Sequence, residues 1–356
     1  MSSQSKIRVL IVDDSAIVRK LLSEAIAGEP DLEVVGTAPD PYIARDKILV
    51  LRPDVLTLDI EMPRMDGLTF LKKVMHFHPL PVIIISSLGQ ASCQAALDAL
   101  RFGAVDVLAK PGGPYSVGEL RNSLAGKIRA AAAARIGRSQ APPTGPAPVE
   151  PHYSLAAAAF RSSALIAIGA STGGTEALKE VLMKLPATTP GIVITQHIPP
   201  VFSRAFAARL NQICAMEVKE AEDGDILKPG RALVAPGNFH MLVRKWSEGY
   251  KVQVTDGPQV CYQRPSADVM FSSVAEAAGN QAVGVILTGM GSDGAQGMLK
   301  MKRAGAKTIA QNEESCVVFG MPREAIKLGA VDRVLPLSHV AAAILSEIGA
   351  HSLTPS

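Results

Sequence analysis

The sequence predicts an α/β protein of two domains, in which helices cover both faces of parallel sheets. Short apolar runs alternate with amphipathic stretches along the first third of the 356 residues, a pattern typical of βα units and a parallel sheet. A segment without apolar periodicity interrupts this pattern, and the alternation resumes after it. The length fits two domains, at roughly 100–200 residues per domain.

The first domain is expected over residues 1–130, with a five-stranded parallel sheet. Helical spacing of apolar residues lies between the predicted strands, beginning with Ser15–Ala27, and the alanine run Ala130–Ala134 is expected to end the last helix. The apolar runs that predict the strands are Ile7–Val12, Leu32–Gly36, Val55–Leu58, Val82–Ile85 and Val105–Leu108.

Residues 131–160 are expected to form a flexible linker rich in proline and alanine. Its central stretch, Gly137–Pro151 (GRSQAPPTGPAPVEP), contains five prolines and no apolar period, so it cannot bury a core. The second domain is expected over residues 161–352 as a doubly wound α/β unit with a mostly parallel sheet. Its first strand is predicted at Leu165–Ile168, and the stretch Arg231–Val254 predicts short antiparallel strands, including a β-hairpin.

The composition argues against several classes of protein. Hydrophobic residues make up 47% and charged residues 19%, as in packed globular domains. The net charge of +3 and the absence of a basic block argue against nucleic acid as a partner. No apolar stretch predicts a membrane span or a secretory leader. The four cysteines are far apart, which indicates neither a zinc site nor a disulfide framework and fits a reducing cytoplasm.

Polar side chains follow the predicted strands of the first domain. Asp13 and Asp14 come after the first strand, Asp59 after the third, Ser86 after the fourth and Lys110 after the fifth. Ligands bind at the carboxyl ends of strands in such sheets. Clustered carboxylates can bind Mg²⁺, and the metal and the lysine would offset the charge of a phosphoryl group. The acidic pair taken alone could merely cap a helix, but the full set in order predicts a phosphoryl acceptor site, with Asp59 as the nucleophile.

Residues 6 to about 128 resemble the receiver domain of two-component response regulators, which has a flavodoxin-like fold. The resemblance rests on the acidic pair, on the acceptor segment LTLDIEMPRMDG, on the hydroxyl and on the Lys-Pro pair at 110–111. It implies phosphorylation of Asp59 by a histidine kinase and Mg²⁺ held by Asp14, Asp59 and the carbonyl of Glu61. It also implies a switch role for Ser86, together with Lys110. Receivers often carry an aromatic switch residue near position 107, and Val107 argues against that version of the switch.

The second domain opens with a strand that leads into a glycine-rich turn. Ser171 lies in the turn Gly169–Gly173, which matches the nucleophile-elbow pattern G-x-S-x-G. Small residues allow a sharp turn that exposes the hydroxyl, and the following helix offers free N–H groups to an oxyanion. Taken alone, the same turn could cradle a phosphate or be only a tight turn. It matches neither the dinucleotide pattern nor a P-loop.

Two further strand ends supply a base and a carboxylate. His197 follows the apolar strand Ile192–Gln196, and it is the only one of the seven histidines with this placement. His240 lies in the predicted hairpin and is expected to be structural. Asp293 follows the strand Ala282–Leu287, although it could instead cap the next helix. Three strand ends on one edge give the geometry of a Ser-His-Asp triad.

The chain order Ser171, His197, Asp293 differs from that of the α/β-hydrolases. The order and the motifs are similar to the catalytic domain of chemotaxis protein-glutamate methylesterases of the CheB type. The matching segments are IGASTGG, ITQHIPPVFSRAFAARLN, ALVAPGNFHM, RPSADVMFSSVA and ILTGMGSDGAQG.

The resemblance implies a nucleophile at Ser171, a general base and acid at His197, and an orienting carboxylate at Asp293. It makes Met290 and Thr172 candidates for the oxyanion hole or pocket, although Thr172 could equally cap a helix. It also implies hydrolysis of receptor glutamyl methyl esters and deamidation of receptor glutamines, with no cofactor for the esterase. The implied partners are a chemotaxis histidine kinase and methyl-accepting receptors, with no nucleic acid and no membrane insertion.

Other functions remain possible at this point. A DNA-binding output is disfavoured because no basic helix-turn-helix module follows the linker. The second domain could be an anion-binding module, or a serine hydrolase acting on a different receptor or acyl substrate. One chain with an acceptor site and a hydrolase site suggests that the unphosphorylated receiver covers the active-site edge. Arg204 and Arg209 could meet receptor glutamates or could belong to a solvated helix face.

Overall fold

The computed structural model describes residues 5–110, 117–135, 164–247 and 249–350. The predicted linker stretch Gly137–Pro151 and the proline at 111 lie outside these ranges. In the described part of the chain, no helix is both long and apolar enough to cross a bilayer. The division into domains at residues 130 and 160 stays a prediction, and the last helix of the first half runs to Ala132.

The first half is a parallel five-stranded sheet with the strand order β2-β1-β3-β4-β5, and it confirms the predicted fold. Its strands are β1 (Ile7–Val12), β2 (Leu32–Ala38), β3 (Val55–Asp59), β4 (Val82–Ser86) and β5 (Asp106–Ala109). Its helices are α1 (Ala16–Ala27), α2 (Pro41–Leu51), α3 (Gly67–Phe77), α4 (Gln90–Arg101) and α5 (Val117–Ala132). Asp59 and Ser86 are the last residues of their strands, because they continue the ladder as partners of Ile85 and Ala109.

The second half is a seven-stranded sheet in which every pair of neighbouring strands is parallel, with the order β15-β14-β13-β6-β7-β10-β8. Its strands are β6 (Leu165–Ala170), β7 (Gly191–Gln196), β8 (Glu217–Glu220), β10 (Arg231–Val234), β13 (Ala282–Ile286), β14 (Lys307–Gln311) and β15 (Arg333–Leu335). Its helices are α6 (Gly174–Leu182), α7 (Phe202–Ile213), α8 (Ala267–Ala278), α9 (Ala295–Arg303), α10 (Met321–Lys327) and α11 (Leu337–Ala350).

A small antiparallel sheet contains the predicted hairpin, formed by β11 (His240–Trp246) and β12 (Gly249–Thr255). The strand β9 (Ile226–Leu227) pairs with β12 as its third member. The stretch from Arg231 onward does not belong entirely to this sheet, because β10 joins the parallel sheet between β7 and β8. The last three residues of β10 are buried, as expected for a strand inside a covered parallel sheet.

The helix α8 packs under the edge where the sequence predicts the triad. Its Phe271 is fully buried. A Cβ added at Gly169 would come within 3.0 Å of the Phe271 ring, and one added at Gly294 within 3.2 Å. The end of β6 and the loop before α9 therefore both pack against this ring.

We expect Phe271→Ala to lower the free energy of unfolding of the second half by about 3–5 kcal/mol, because it leaves a cavity under both segments. Urea denaturation measures the change. Phe77→Ala is the control, since that ring is 78% exposed and the change should cost less than about 0.5 kcal/mol. Equal effects from the two substitutions would contradict the packing described.

Candidate active site

The second half brings a histidine and a carboxylate into direct contact at the carboxyl ends of its strands. His197 directly follows β7, and Asp293 follows β13. The His197 Nε2 lies 2.7 Å from the Asp293 Oδ2, and both side chains are buried. The His197 Nδ1 is also buried and has no hydrogen-bond partner among the described residues. With Nε2–H donating to the carboxylate, Nδ1 is the nitrogen left to accept a proton.

The Asp293 carboxylate also accepts hydrogen bonds at the N-terminal end of α8. It accepts hydrogen bonds from the Ser266 hydroxyl at 2.6 Å, the Ala267 N–H at 2.6 Å and the Asp268 N–H at 3.1 Å. Burial favours the neutral acid, but the hydrogen bonds from His197, Ser266 and the Ala267 N–H outweigh it and lower the pKa of Asp293. The residue at the cap of α9 itself is Gly294, so Asp293 does not cap the helix that follows it.

Ser171 lies between β6 and α6, with its backbone held on both sides. Its N–H donates to the Thr288 carbonyl at 3.0 Å, and its carbonyl accepts from the Gly174 N–H at 2.7 Å and the Gln196 side-chain amide at 2.8 Å. A Cβ added at Gly289 would approach the Ser171 Cβ to 2.7 Å. The nucleophile turn and the loop after β13 are therefore in van der Waals contact.

The candidates for the oxyanion hole are Thr172 and Met290. In the described part of the chain, the backbone N–H groups of Thr172 and Met290 donate to no other residue, as the donors of an oxyanion hole require. The Thr172 hydroxyl is occupied, because it donates to the Asp106 carboxylate of the first half at 2.6 Å. Asp106 also pairs with Lys127 at 2.6 Å.

Several residues that support the site were not predicted from the sequence. Ser266 and Gln196 hold the carboxylate and the nucleophile backbone, respectively. Thr288 donates its hydroxyl to the Thr172 carbonyl at 3.0 Å. The segment RPSADVMF was the only sequence signal near Ser266. His240 contacts the same region, since its Nδ1 accepts from the Ser266 N–H at 3.2 Å and its Nε2 contacts the Pro258 carbonyl at 3.0 Å.

The first half forms an acidic site at its own strand ends. Oxygen atoms of Asp13, Asp14 and Asp59 all lie within 4.8 Å of one another. The Lys110 Nζ is 2.7 Å from the Asp59 Oδ2. Burial, followed by the charge of Asp59, raises the pKa of Asp13 to about 6. The Asp13 Oδ2 is buried without a partner among the described residues, so this cluster has an oxygen suited to a cation.

Glu61 and Ser86 make contacts beside this acidic site. The Glu61 N–H donates to the Asp59 Oδ1 at 3.0 Å, and its side chain accepts from the hydroxyls of Ser87 and Ser92. The Ser86 hydroxyl is directed at the carbonyls of Ser87 and Ser92, both at 3.3 Å. Because Ser92 belongs to α4, the Ser86 hydroxyl joins the end of β4 to that helix.

The two halves meet at the face of the first half that carries α4 and β5. Asp98 on α4 pairs with Arg209 on α7, with 3.0 Å between Oδ1 and Nη1, and the arginine side chain is only 17% exposed. Arg209 is therefore an interdomain contact here, whereas Arg204 pairs with Glu220 inside the second half and is 81% exposed. A second contact between the halves is the hydrogen bond to Asp106 from the hydroxyl of Thr172, the residue next in the chain to Ser171.

Past α5, Arg135 extends this interface. Its guanidinium donates to the Glu313 carboxylate at 2.8 Å and to the Glu313 carbonyl at 3.1 Å. Ala133 and Arg135 line a cavity of about 710 Å³ together with Met290, Gly291 and Ser292 from the loop after β13. The end of the first half thus lies directly beside the loop that leads to Asp293.

Comparisons with known proteins agree with this geometry. The family profile described as CheB methylesterase matches residues 166–344, and the profile described as response regulator receiver domain matches residues 9–122. A Syntrophus aciditrophicus protein named protein-glutamate methylesterase/protein-glutamine glutaminase 2 is 56% identical over 95% of this chain and 98% of its own length. The chain belongs to the CheB methylesterase family.

Two further proteins agree with this family membership, one over both halves and one over the second half. A Salmonella typhi protein named protein-glutamate methylesterase/protein-glutamine glutaminase is 53% identical over 97% of this chain and 98% of its own length. The crystal structure of the Thermotoga maritima CheB methylesterase catalytic domain aligns with a TM-score of 0.51 and 38% identity, and the match covers 52% of this chain and 98% of that chain.

We expect Asp293→Ala to lower the free energy of unfolding by about 2–4 kcal/mol near pH 7, because buried donors lose their acceptor. The pKa of Asp293 lies below its ordinary value of 3.8, so the stabilising effect of the carboxylate is complete above pH 3.8 and is lost as the pH falls through the lowered pKa.

Urea denaturation of wild type and variant from about pH 7 down to about pH 3 measures this effect. The exposed Asp256 gives the control Asp256→Ala, which should change little at any pH. A difference for Asp293→Ala that is small at pH 7 or grows toward low pH would contradict the role assigned to the carboxylate.

Proposed function

We propose that this chain is a phosphorylation-controlled protein-glutamate methylesterase, which hydrolyses glutamyl methyl esters on methyl-accepting chemotaxis receptors and deamidates receptor glutamines. The observation that carries the proposal is the buried His197–Asp293 pair, whose histidine backbone N–H donates at 3.1 Å to the carbonyl of Ala170, the residue before Ser171. The chain is also 53–56% identical to proteins with these activities in their names. The esterase half would work without a cofactor. We assign it to the cytoplasm, where the signalling parts of such receptors would meet it.

The first chemical step is acyl transfer to the serine. The Ser171 Oγ attacks the γ-carbonyl carbon of the glutamyl ester, and the His197 Nδ1 takes the hydroxyl proton. The Asp293 carboxylate, 2.7 Å from Nε2, stabilises the imidazolium that forms. The negative charge on the carbonyl oxygen falls to the free backbone N–H groups of Thr172 and Met290. Collapse of the intermediate breaks the ester C–O bond, and methanol leaves with the proton from Nδ1.

The second step hydrolyses the acyl-enzyme and regenerates the serine hydroxyl. Water gives a proton to the His197 Nδ1 and adds to the acyl carbon, and the glutamate product leaves as the proton returns to the Ser171 Oγ. With a glutamine substrate, the same acyl-enzyme forms and ammonia is the leaving group. The two activities therefore need one site and one set of residues.

Control would begin at Asp59, which we propose takes a phosphoryl group from a histidine kinase. Mg²⁺ fits the acidic site because Asp13, Asp14 and Asp59 cluster there and one buried Asp13 oxygen has no partner among the described residues. When bound, the metal supplies charge neutralisation for the phosphoryl group. Lys110, 2.7 Å from Asp59, adds a second positive charge. The carbonyl of Glu61 would be a further ligand of Mg²⁺.

The contacts suggest how phosphorylation would reach the esterase. We propose that the receiver covers the active-site edge until Ser86 turns toward the phosphoryl group and releases its contact with Ser92 on α4. The shift of α4 would weaken the ion pair between Asp98 and Arg209. A shift of the adjoining β5 would break the hydrogen bond from Thr172, the residue next to the nucleophile, to Asp106. Removing residues 1 to about 150 should then raise the activity.

A serine hydrolase of the same family acting on another receptor or acyl substrate is the alternative function, because a triad alone does not fix the substrate. The following experiment separates the two possibilities.

We expect wild type to release methanol from methylated receptor membranes, faster with a small phosphodonor and Mg²⁺ present. Ser171→Ala should lower the rate by at least about 10³-fold, because it removes the nucleophile. Asp59→Ala should keep the basal rate and lose the response to phosphodonor. Release that does not depend on Ser171 would contradict the mechanism, and no release from any chemotaxis receptor would favour another acyl substrate.

We expect Arg209→Ala to raise the rate without phosphodonor several-fold, since loss of about 1 kcal/mol at the interface shifts the closed state about fivefold. Arg204→Ala is the matched control on the same helix, because its partner Glu220 lies in the same half. A basal rate unchanged by Arg209→Ala, or raised equally by both variants, would contradict the inhibitory contact.

A further inference from the structure

The helices α8 and α9 are joined at their N-terminal ends by two aspartates that each bond to the other helix. Asp293, two residues before α9, accepts hydrogen bonds from the Ala267 and Asp268 N–H groups at the start of α8. Asp268, in the first turn of α8, accepts from the Gly297 N–H in the first turn of α9 at 2.6 Å. Each acid thus satisfies backbone donors that have no partner within their own helix.

The two helices also touch at this point, so the connection has little freedom. A Cβ added at Gly297 would come within 2.6 Å of the Phe271 Cβ and 2.9 Å of the Asp268 carbonyl oxygen. No side chain fits between the helices there. The first turn of α9 is therefore held against α8 by a close backbone approach and by the Asp268 hydrogen bond.

Two carboxylates at this short distance need compensating positive potential. Oxygen atoms of Asp268 and Asp293 lie within 4.8 Å of each other, next to the thiol of Cys261. The N-terminal ends of both helices point their N–H groups at this pair, which is where helix dipoles favour negative charge. His197 adds its contact on the side of Asp293 only.

We propose that Asp268 is a positioning residue for the hydrolysis, which holds the start of α9 so that the Asp293 carboxylate stays in line with the His197 Nε2. Asp293 lies only two residues before α9, so a displacement of the first turn of α9 would also displace its carboxylate. Catalytic groups must keep their geometry within a fraction of an ångström to work at full rate. The kinetic part of this inference rests on the esterase function proposed above.

The test compares Asp268→Ala with Asp268→Asn in the full-length chain. Asparagine keeps an oxygen that can accept from the Gly297 N–H, whereas alanine removes it. We expect Asp268→Ala to lower kcat for methanol release by about 10–100-fold with little change in KM. Asp268→Asn should recover kcat to within about threefold of wild type, because the acceptor rather than the charge positions α9.

Ser273→Ala is the control for a purely structural effect. Ser273 is buried on the same helix, where its hydroxyl accepts from the Val243 N–H at 2.8 Å and donates to the Met270 carbonyl at 2.7 Å. It should destabilise the fold while leaving kcat near the wild-type value. A kcat loss of the same size in Ser273→Ala, or no loss in Asp268→Ala, would overturn the proposal.

A spectroscopic measurement separates this inference from the proposed substrate. The proton between His197 and Asp293 should give a downfield ¹H NMR signal in wild type and in Asp268→Asn, and the signal should shift or broaden in Asp268→Ala. An unchanged signal in Asp268→Ala would refute the positioning role. If the signals behave as expected while wild type releases no methanol, the positioning role stands and the proposed substrate is wrong.

Discussion

The catalytic half depends on the set of hydrogen bonds around the Asp293 carboxylate. This carboxylate accepts from His197 at 2.7 Å, from Ser266 and Ala267 at 2.6 Å, and from Asp268 at 3.1 Å. A charge in this buried place would be costly without such partners. Because the partners come from β7 and α8, the carboxylate joins the sheet edge to the helix beneath it. The orientation of the histidine follows, with Nε2 toward the carboxylate and Nδ1 free, the reverse of the assignment in serine proteases.

The first half contacts the catalytic half beside Ser171 and, past α5, beside the loop that leads to Asp293. Thr172, next in the chain to Ser171, gives its hydroxyl to Asp106 of β5, and Asp98 of α4 pairs with Arg209. Both elements contact β4 or its terminal Ser86, and β4 pairs with β3, which ends at the proposed phosphoryl acceptor Asp59. A few polar contacts of moderate strength are suited to a switch, because a phosphoryl group must supply only the differential free energy between two states.

The fold and the residues at the strand ends were predictable from the sequence, because buried parallel strands read as apolar runs and place the next polar residue at a common edge. Ser171, His197 and Asp293 followed from that rule. The hydrogen bonds from Ser266 and Asp268 to the Asp293 carboxylate could not be predicted, because they depend on how α8 and α9 pack together. Arg209 was open to two interpretations, and its pairing with Asp98 depends on how the halves dock. Strand β10 was assigned to the antiparallel sheet because four residues carry too little periodicity to choose between sheets.

The tautomer of His197 shows whether the Asp293 carboxylate orients the imidazole as the 2.7 Å contact indicates. Nitrogen-15 NMR of the imidazole in the resting full-length protein, with the resonance assigned by comparison with His197→Gln, distinguishes the protonated from the unprotonated ring nitrogen. We expect a proton on Nε2, held by Asp293, and a bare Nδ1 that can take the proton of Ser171. A proton found on Nδ1 with Nε2 bare would contradict this expectation, because the carboxylate would then have no donor from the ring and the serine no base.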